Sequence, residues 1–270
     1  MELRKRHRPH ARPLKNLDER YVLYASAIET EACERRGNWI STYCPQACEL
    51  HLDLGCGKGQ FAIAQAQARP DVLFVGLDFD RACIALAAQK ACELELCNCV
   101  FALADAEDLA MYFDEDELDG IYLNFSTPHP RKKHADERLT YVDALIAYRP
   151  LLEENGWIEM KTDSAPFYEF SLVQFDLAGY DIEWKSTDMH ADGIESCVTE
   201  FEERLCAKGA KVHGCRAVRA ARPFTHEQTA ELSLFKYLPE DLDSLEYIPF
   251  GMEGFVFNER CRKAKQAARP

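Results

Sequence analysis

An α/β fold, with a mostly parallel seven-stranded sheet and helices on both faces, is predicted by three features of the sequence. From about residue 49 short apolar runs alternate with longer amphipathic stretches, the pattern of βαβ units. Glycine follows two of the helical stretches as a stop signal, at Gly156 and Gly179. A glycine-rich turn joins the first apolar run to the first helix. The strands are expected at 49–54, 72–78, 99–104, 118–125, 157–161 and 182–185, with a last strand at 211–218 closing the sheet at an edge. Helices are expected at 60–68, 81–96, 139–153 and 165–177, where apolar residues recur at three and four, and a further short segment opens at Thr199.

The composition excludes several classes. At 270 residues, 47% of them hydrophobic and 29% charged, the chain has the balance of a soluble globular protein with one full core. No apolar run approaches the roughly 20 residues of a membrane span. The basic start, 1–20, lacks the apolar stretch of a secretory signal, so a cytoplasmic protein is expected. Twelve cysteines would suggest a disulfide framework in a short secreted chain. Here Cys83 and Cys92 fall in a helical stretch and Cys99 in a strand, where reduced cysteine packs as a small hydrophobe. No metal site is expected, because Cys44, Cys48, Cys97 and Cys99 include no paired CxxC set. His51 also stands where an iron–sulfur motif begun by Cys44 and Cys48 needs its third cysteine.

A net charge of -14 argues against indiscriminate coating of nucleic acid. Yet Arg4, Lys5, Arg6, Arg8, Arg12 and Lys15 make a basic arm, and Arg131, Lys132, Lys133 and Arg138 a second basic cluster. An acidic body with such local patches can grip a structured RNA at chosen points. The organisation read from these patterns is a basic N-terminal arm and helix over 1–44, a catalytic domain over 45–218 and an extension over 219–270. The extension carries no clear periodicity before 247–257 and no assigned role. The expected oligomeric state is monomer or homodimer.

The most informative segment is His51-Leu-Asp-Leu-Gly-Cys-Gly-Lys-Gly59. A strand ends at Asp53, the glycines at 55, 57 and 59 permit a tight turn, and a helix follows at once. Asp78 stands at the end of the second strand, where a carboxylate accepts ribose hydroxyls. Asp105 stands at the end of the third, suited to an adenine amino group. A dinucleotide fingerprint needs its third glycine one residue later, where this chain has Gln60. The loop therefore suits S-adenosyl-L-methionine, which brings no phosphate to cradle and offers a positive amino end to an acid. A single strand-end aspartate reads as a cap; three at successive strand ends read as a pocket.

The segment Asn124-Phe-Ser-Thr-Pro-His-Pro-Arg-Lys-Lys-His134 resembles the tRNA (guanine-N7)-methyltransferase family, in which this strand runs into Asn-Phe-Ser/Pro-Asp-Pro-Trp-Pro. The likeness continues at Lys161-Thr-Asp-Ser-Ala-Pro-Phe167 and at Thr199-Glu-Phe-Glu-Glu-Arg204. It implies a Rossmann-like class I methyltransferase, with S-adenosyl-L-methionine as cofactor, tRNA as partner and N7 of a variable-loop guanosine as acceptor. It implies cofactor contacts at Asp53, Gly55, Gly57, Gly59, Asp78, Asp105, Ala106 and Asn124, and catalytic roles at Thr127 and Asp163. Substrate contacts are implied at Arg131, Asp163, Thr199, Glu200, Phe201 and Glu202. Three departures accompany it. Asp53 and Asp78 stand where the family usually has glutamate, Thr127 replaces its aspartate, and His129 its tryptophan. His129 and His134 either stack on a base or face solvent. The departures motivate two other readings: a paralogous methyltransferase acting on another RNA or a small molecule, and a non-catalytic RNA-binding relative.

Overall fold

The structure is a computed structural model that describes residues 14–267. The arginines and lysine of the basic arm from Arg4 to Arg12 lie outside the described residues, and Lys15 lies within them. The chain divides into two compact units, one reaching to residue 122 and including 151–153, the other holding 123–150 and 154 onward.

The first unit contains α1 (Leu17–Leu23), β1 (Ile28–Glu29), α2 (Trp39–Tyr43), β2 (Glu49–Leu54), α3 (Gln60–Ala68), β3 (Val72–Asp78), α4 (Arg81–Glu93), β4 (Cys99–Leu103), α5 (Leu109–Tyr112) and most of β5 (Leu118–Asn124). The second holds α6 (Val142–Tyr148), most of β6 (Leu152–Thr162), α7 (Ala165–Leu177), β7 (Tyr180–Ser186), α8 (Glu200–Cys206), β8 (His213–Arg219) and α9 (Glu253–Ala267). Among the described residues eight strands form one sheet, in the order β1-β4-β3-β2-β5-β6-β8-β7. In the first unit β2 pairs in parallel with β3 on one side and β5 on the other, and β3 with β4. The strand order thus reverses at β2, and ligands of such sheets bind beyond the carboxyl ends of the strands at that point. β2, β3 and β4 are buried almost throughout, which is why they read as unbroken apolar runs.

The mostly parallel α/β architecture agrees with the expectation, and four details differ. The described residues hold eight strands rather than seven, because β1, two residues long, pairs in parallel with β4 and is too short to leave a sequence pattern. The last strand does not close the edge: β8 pairs antiparallel with both β6 and β7, leaving β7 outermost. The burial of β7 alternates, as an edge strand's does, whereas β8 opens with three buried residues. The helix expected over 139–153 is α6 alone, followed by a 3-10 turn at Arg149–Leu151. Pro150 cannot donate to a helical ladder, and β6 starts at Leu152, so Gly156 lies inside a strand rather than beyond a helix. The helix expected over 81–96 ends at Glu93, where Glu95 turns to a φ of 55°. No helix among the described residues is long and apolar enough to cross a membrane.

One buried amide ties the first unit together under the glycine turn. The Asn98 amide nitrogen reaches the carbonyls of Ala66 and Arg69 at 3.0 Å each and of Val72 at 2.9 Å, linking the end of α3 to the start of β3. Two hydrogens serve three acceptors, so one bond is shared. Asn98→Ala removes those bonds and is expected to lower unfolding free energy by about 2 kcal/mol, as read by urea denaturation. A loss under about 0.5 kcal/mol, the usual size for a surface change, would remove Asn98 from this role.

Candidate active site

In the first unit the turn after β2 carries three left-handed glycines, Gly55 at φ 80°, Gly57 at 54° and Gly59 at 72°. They differ in what surrounds them. A Cβ on Gly59 would stand 2.7 Å from both the Ala87 methyl and the Phe101 ring, so α3 can meet α4 and β4 here only without a side chain. A Cβ on Gly55 or Gly57 would meet nothing within 4 Å. These two glycines therefore leave an open backbone face for a ligand, while Gly59 serves close packing.

The acids stand around this turn. Asp53, 1% exposed, precedes it in β2, and Asp105, 9% exposed, follows β4. Asp78 ends β3 and organises the loop: its Oδ2 accepts from the Gly57 amide at 2.9 Å and its Oδ1 from the Asp80 amide at 2.8 Å. Burial pushes the Asp78 carboxyl up from its ordinary value, against the lowering effect of those amides. The Cys56 thiol, in the turn itself, is pushed up by burial and then by the charges of Asp53 and Asp78. Both carboxylates thus act on one loop. Asp105 Oδ1 accepts from the Glu107 amide at 3.3 Å and starts the short turn that holds Ala106. Asp80 caps α4 through the Ala82 amide.

In the second unit Asn124 is half-buried at the end of β5, and the chain then bends through Phe125 at φ 51° and His129 at φ 42°. Left-handed conformations are uncommon for residues with side chains. Phe125 is held in its own by donating its amide to the Lys161 carbonyl at 2.7 Å. Thr127 is exposed in this loop, as are Arg131, Lys132 and Lys133. His129 and His134 both meet Glu137, at 3.5 and 2.6 Å. Arg138, read from the sequence as part of the basic cluster, is instead buried. Its guanidinium lies 4.3 Å from the Phe170 ring centre and donates to the carbonyls of Pro128, His129 and Leu232. Burial pulls its pKa down to about 10, so it remains a cation at neutral pH.

Beyond β6, Asp163 is half-buried between Thr162, whose hydroxyl oxygen accepts from the Ser164 amide, and Ser164, which caps α7. Lys161 Nζ reaches Glu202 Oε2 at 2.9 Å and the Cys197 carbonyl at 2.8 Å, with Lys161 and Glu202 both almost fully buried. The other Glu202 oxygen meets His190 Nε2 at 3.0 Å. Thr199 caps α8 by accepting from the Glu202 amide at 3.3 Å. Glu200 and Phe201 are exposed, and the Phe201 ring stands edge-on to Phe125 at 5.5 Å. Of the residues expected to contact substrate, Glu202 is thus enclosed in an ion pair, whereas Phe201 and Glu200 face outward. Lys161, Arg138, His190 and Tyr247, whose hydroxyl reaches Asp163 Oδ2, were absent from the expected site. Among the described residues no group of three or more His, Cys, Asp or Glu side chains is arranged for a metal ion.

A strand order reversing at β2, a glycine turn open on one face and acids at three successive strand ends define a Rossmann-like class I methyltransferase. A family model described as a putative methyltransferase matches residues 47–215. The chain is 35% identical over 221 residues to a tRNA (guanine-N(7)-)-methyltransferase of Geobacillus kaustophilus (strain HTA426), covering 82% of this chain and 99% of that protein. It is 35% identical over 213 residues to the one of Limosilactobacillus reuteri (strain DSM 20016), covering 78% and 97%. The chain belongs to the tRNA (guanine-N7)-methyltransferase family. Its fold is shared with an antibiotic-related methyltransferase (TM-score 0.52, 19% identity, 66% of this chain and 91% of that one) and with the 16S rRNA methyltransferase KamB (TM-score 0.51, 15% identity, 67% and 92%).

The residues present fit S-adenosyl-L-methionine, the cofactor of this class. Gly55 and Gly57 leave room against the backbone, and Asp53, Asp78 and Asp105 stand around the same turn, suited to a ligand that brings a positive charge and ribose hydroxyls. Two measurements follow. Because the Asp78 pKa is raised, the carboxyl takes up its proton at a less acid pH than an ordinary aspartate and then ceases to be an ionic acceptor. Calorimetry should therefore show affinity for S-adenosylhomocysteine falling as the pH is lowered from neutrality, at a less acid pH than an ordinary aspartate would give, and Asp78→Asn should bind weakly with little pH dependence. A wild-type affinity unchanged by that acidification would sink the ribose role of Asp78. Separately, Lys161→Met leaves Glu202 a buried, unbalanced charge and should cost about 3–5 kcal/mol of stability, with Lys161→Met/Glu202→Leu recovering most of it in thermal unfolding.

Proposed function

We propose that this protein transfers the methyl group of S-adenosyl-L-methionine to N7 of a variable-loop guanosine in tRNA. The observation that carries the reading is the likeness to relatives named for that reaction, which spans nearly their whole length and extends through both units of this chain. When bound, the cofactor supplies a methyl group on a sulfonium sulfur. Asp53, Gly55, Gly57, Gly59, Asp78, Asp105, Ala106 and Asn124 bind and orient it. A tRNA substrate also supports a cytoplasmic location.

Guanine N7 presents a lone pair, so no base is needed to remove a proton. A cofactor held by those residues would supply the methyl group to N7 and give up the sulfonium charge, which the guanine ring would then carry. The work left to the protein is orientation and electrostatic support of that cation. Asp163 supplies a carboxylate, Thr127 a hydroxyl, and Arg131 with its exposed lysine neighbours contacts phosphate. Phe201 offers an exposed aromatic face for base stacking. Thr199 and Glu202 hold α8 so that Phe201 and Glu200 are presented.

Purified protein incubated with labelled cofactor and unmodified tRNA should place label in 7-methylguanosine when the nucleosides are mapped. Label on another atom would support the paralogous methyltransferase that Thr127 and His129 suggest. Cofactor binding without transfer would support a non-catalytic relative. Thr127→Asp restores a charge beside the forming cation and should raise kcat/KM about tenfold, equivalent to about 1.4 kcal/mol. A rate that stays level or falls would remove position 127 from the chemistry.

A further inference from the structure

The segment beyond residue 219 meets the acceptor residues of its own unit at three places. Arg138 Nη2 bonds the Leu232 carbonyl at 2.7 Å while the same guanidinium holds the Pro128 and His129 carbonyls. The Leu234 amide donates to the Pro130 carbonyl at 3.0 Å. The Tyr247 hydroxyl donates to Asp163 Oδ2 at 2.5 Å. Leu232, Leu234 and Tyr247 all lie outside the family match at 47–215.

We propose that Tyr247 is a positioning residue for the acceptor base: its hydroxyl takes one oxygen of Asp163 and leaves the other to accept from the N1–H and amino edge of guanine. This role rests on the guanosine N7 reading above. The backbone around Asp163 is already fixed, since the Ser164 amide bonds the Thr162 hydroxyl oxygen and the Ser164 hydroxyl caps α7. What remains free is the rotation of the carboxylate. A short bond from a neutral hydroxyl to a charged oxygen is among the stronger hydrogen bonds and removes that freedom. Burial lifts the Tyr247 phenol, with the bond to Asp163 adding to the rise, so the hydroxyl keeps its proton and remains a donor through the neutral range. Guanine offers two donors on one edge, which match a fixed carboxylate oxygen, whereas adenine presents an acceptor at N1 and would be repelled.

The test is a double-mutant cycle on the full-length protein, with unmodified tRNA and S-adenosyl-L-methionine. Tyr247→Phe removes only the hydroxyl and should raise KM for tRNA about fivefold to tenfold while kcat stays within about twofold. If Tyr247 acts through Asp163, Asp163→Asn and the double variant should have equal kcat/KM within about twofold. The preference of Tyr247→Phe for guanosine over inosine at the target, which lacks the amino group, should narrow. Losses that multiply in the double variant would show an independent packing role and overturn the proposal. A faster Tyr247→Phe would overturn it too, since the bond would then be holding Asp163 away from substrate. If the unmutated protein puts no methyl on guanosine N7, the functional reading fails and this role with it. Transfer by the unmutated protein with a multiplying cycle defeats this role alone.

Discussion

The acceptor side of the second unit depends on one desolvated ion pair, Lys161 with Glu202. Removing two charges from water costs several kcal/mol, and the pair is tolerable only when every remaining polar atom is also satisfied. Here the lysine additionally finds the Cys197 carbonyl and the glutamate finds His190. The consequence is geometric. Lys161 lies near the end of β6, two residues before Asp163, and Glu202 lies in the first turn of α8, one residue after Phe201. Joining them sets the exposed ring of Phe201 against Phe125, and Lys161 lies 5.8 Å from the centre of that second ring. Glu202, which its motif offers as a substrate contact, also fastens its neighbours through this pair.

The loop after β5 is a second constraint of the same unit. Two side-chain-bearing residues, Phe125 and His129, are held left-handed, a state that costs on the order of 1 kcal/mol each and persists only where the surroundings enforce it. The enforcement comes from the Lys161 carbonyl at one end and the Arg138 guanidinium at the other. Between them Thr127 is exposed.

At the glycine turn one acid does the shaping: Asp78 holds the loop through the amides of Gly57 and Asp80. The short aspartate side chain suits that task, because it stays close to the two amides. The glycines divide their work as well. Gly59 lets α3 approach Phe101, and a Cβ on Gly76 would stand 2.5 Å from the same ring, so the β3–β4 layer is as closely fitted as the turn above it.

Much of the first unit was legible in the amino acids because its determinants are local. Strands buried on both faces must be continuously apolar, tight turns need glycine, and helix starts need a short acceptor such as Asp80, Ser164 or Thr199. The bounds of β2, β3, α3 and α7 follow from those rules alone. The three acids at strand ends were legible for the same reason. Tertiary structure alone decided what depends on partners far along the chain. It put β8 between β6 and β7, turned Arg138 from the expected surface cluster into a buried clamp, enclosed Glu202 with Lys161, and brought Tyr247 from an extension with no assigned role to Asp163. Charge and hydrogen-bonding capacity are written in each residue, but whether water or another side chain satisfies them is settled only when the folded chain brings distant groups within about 3 Å.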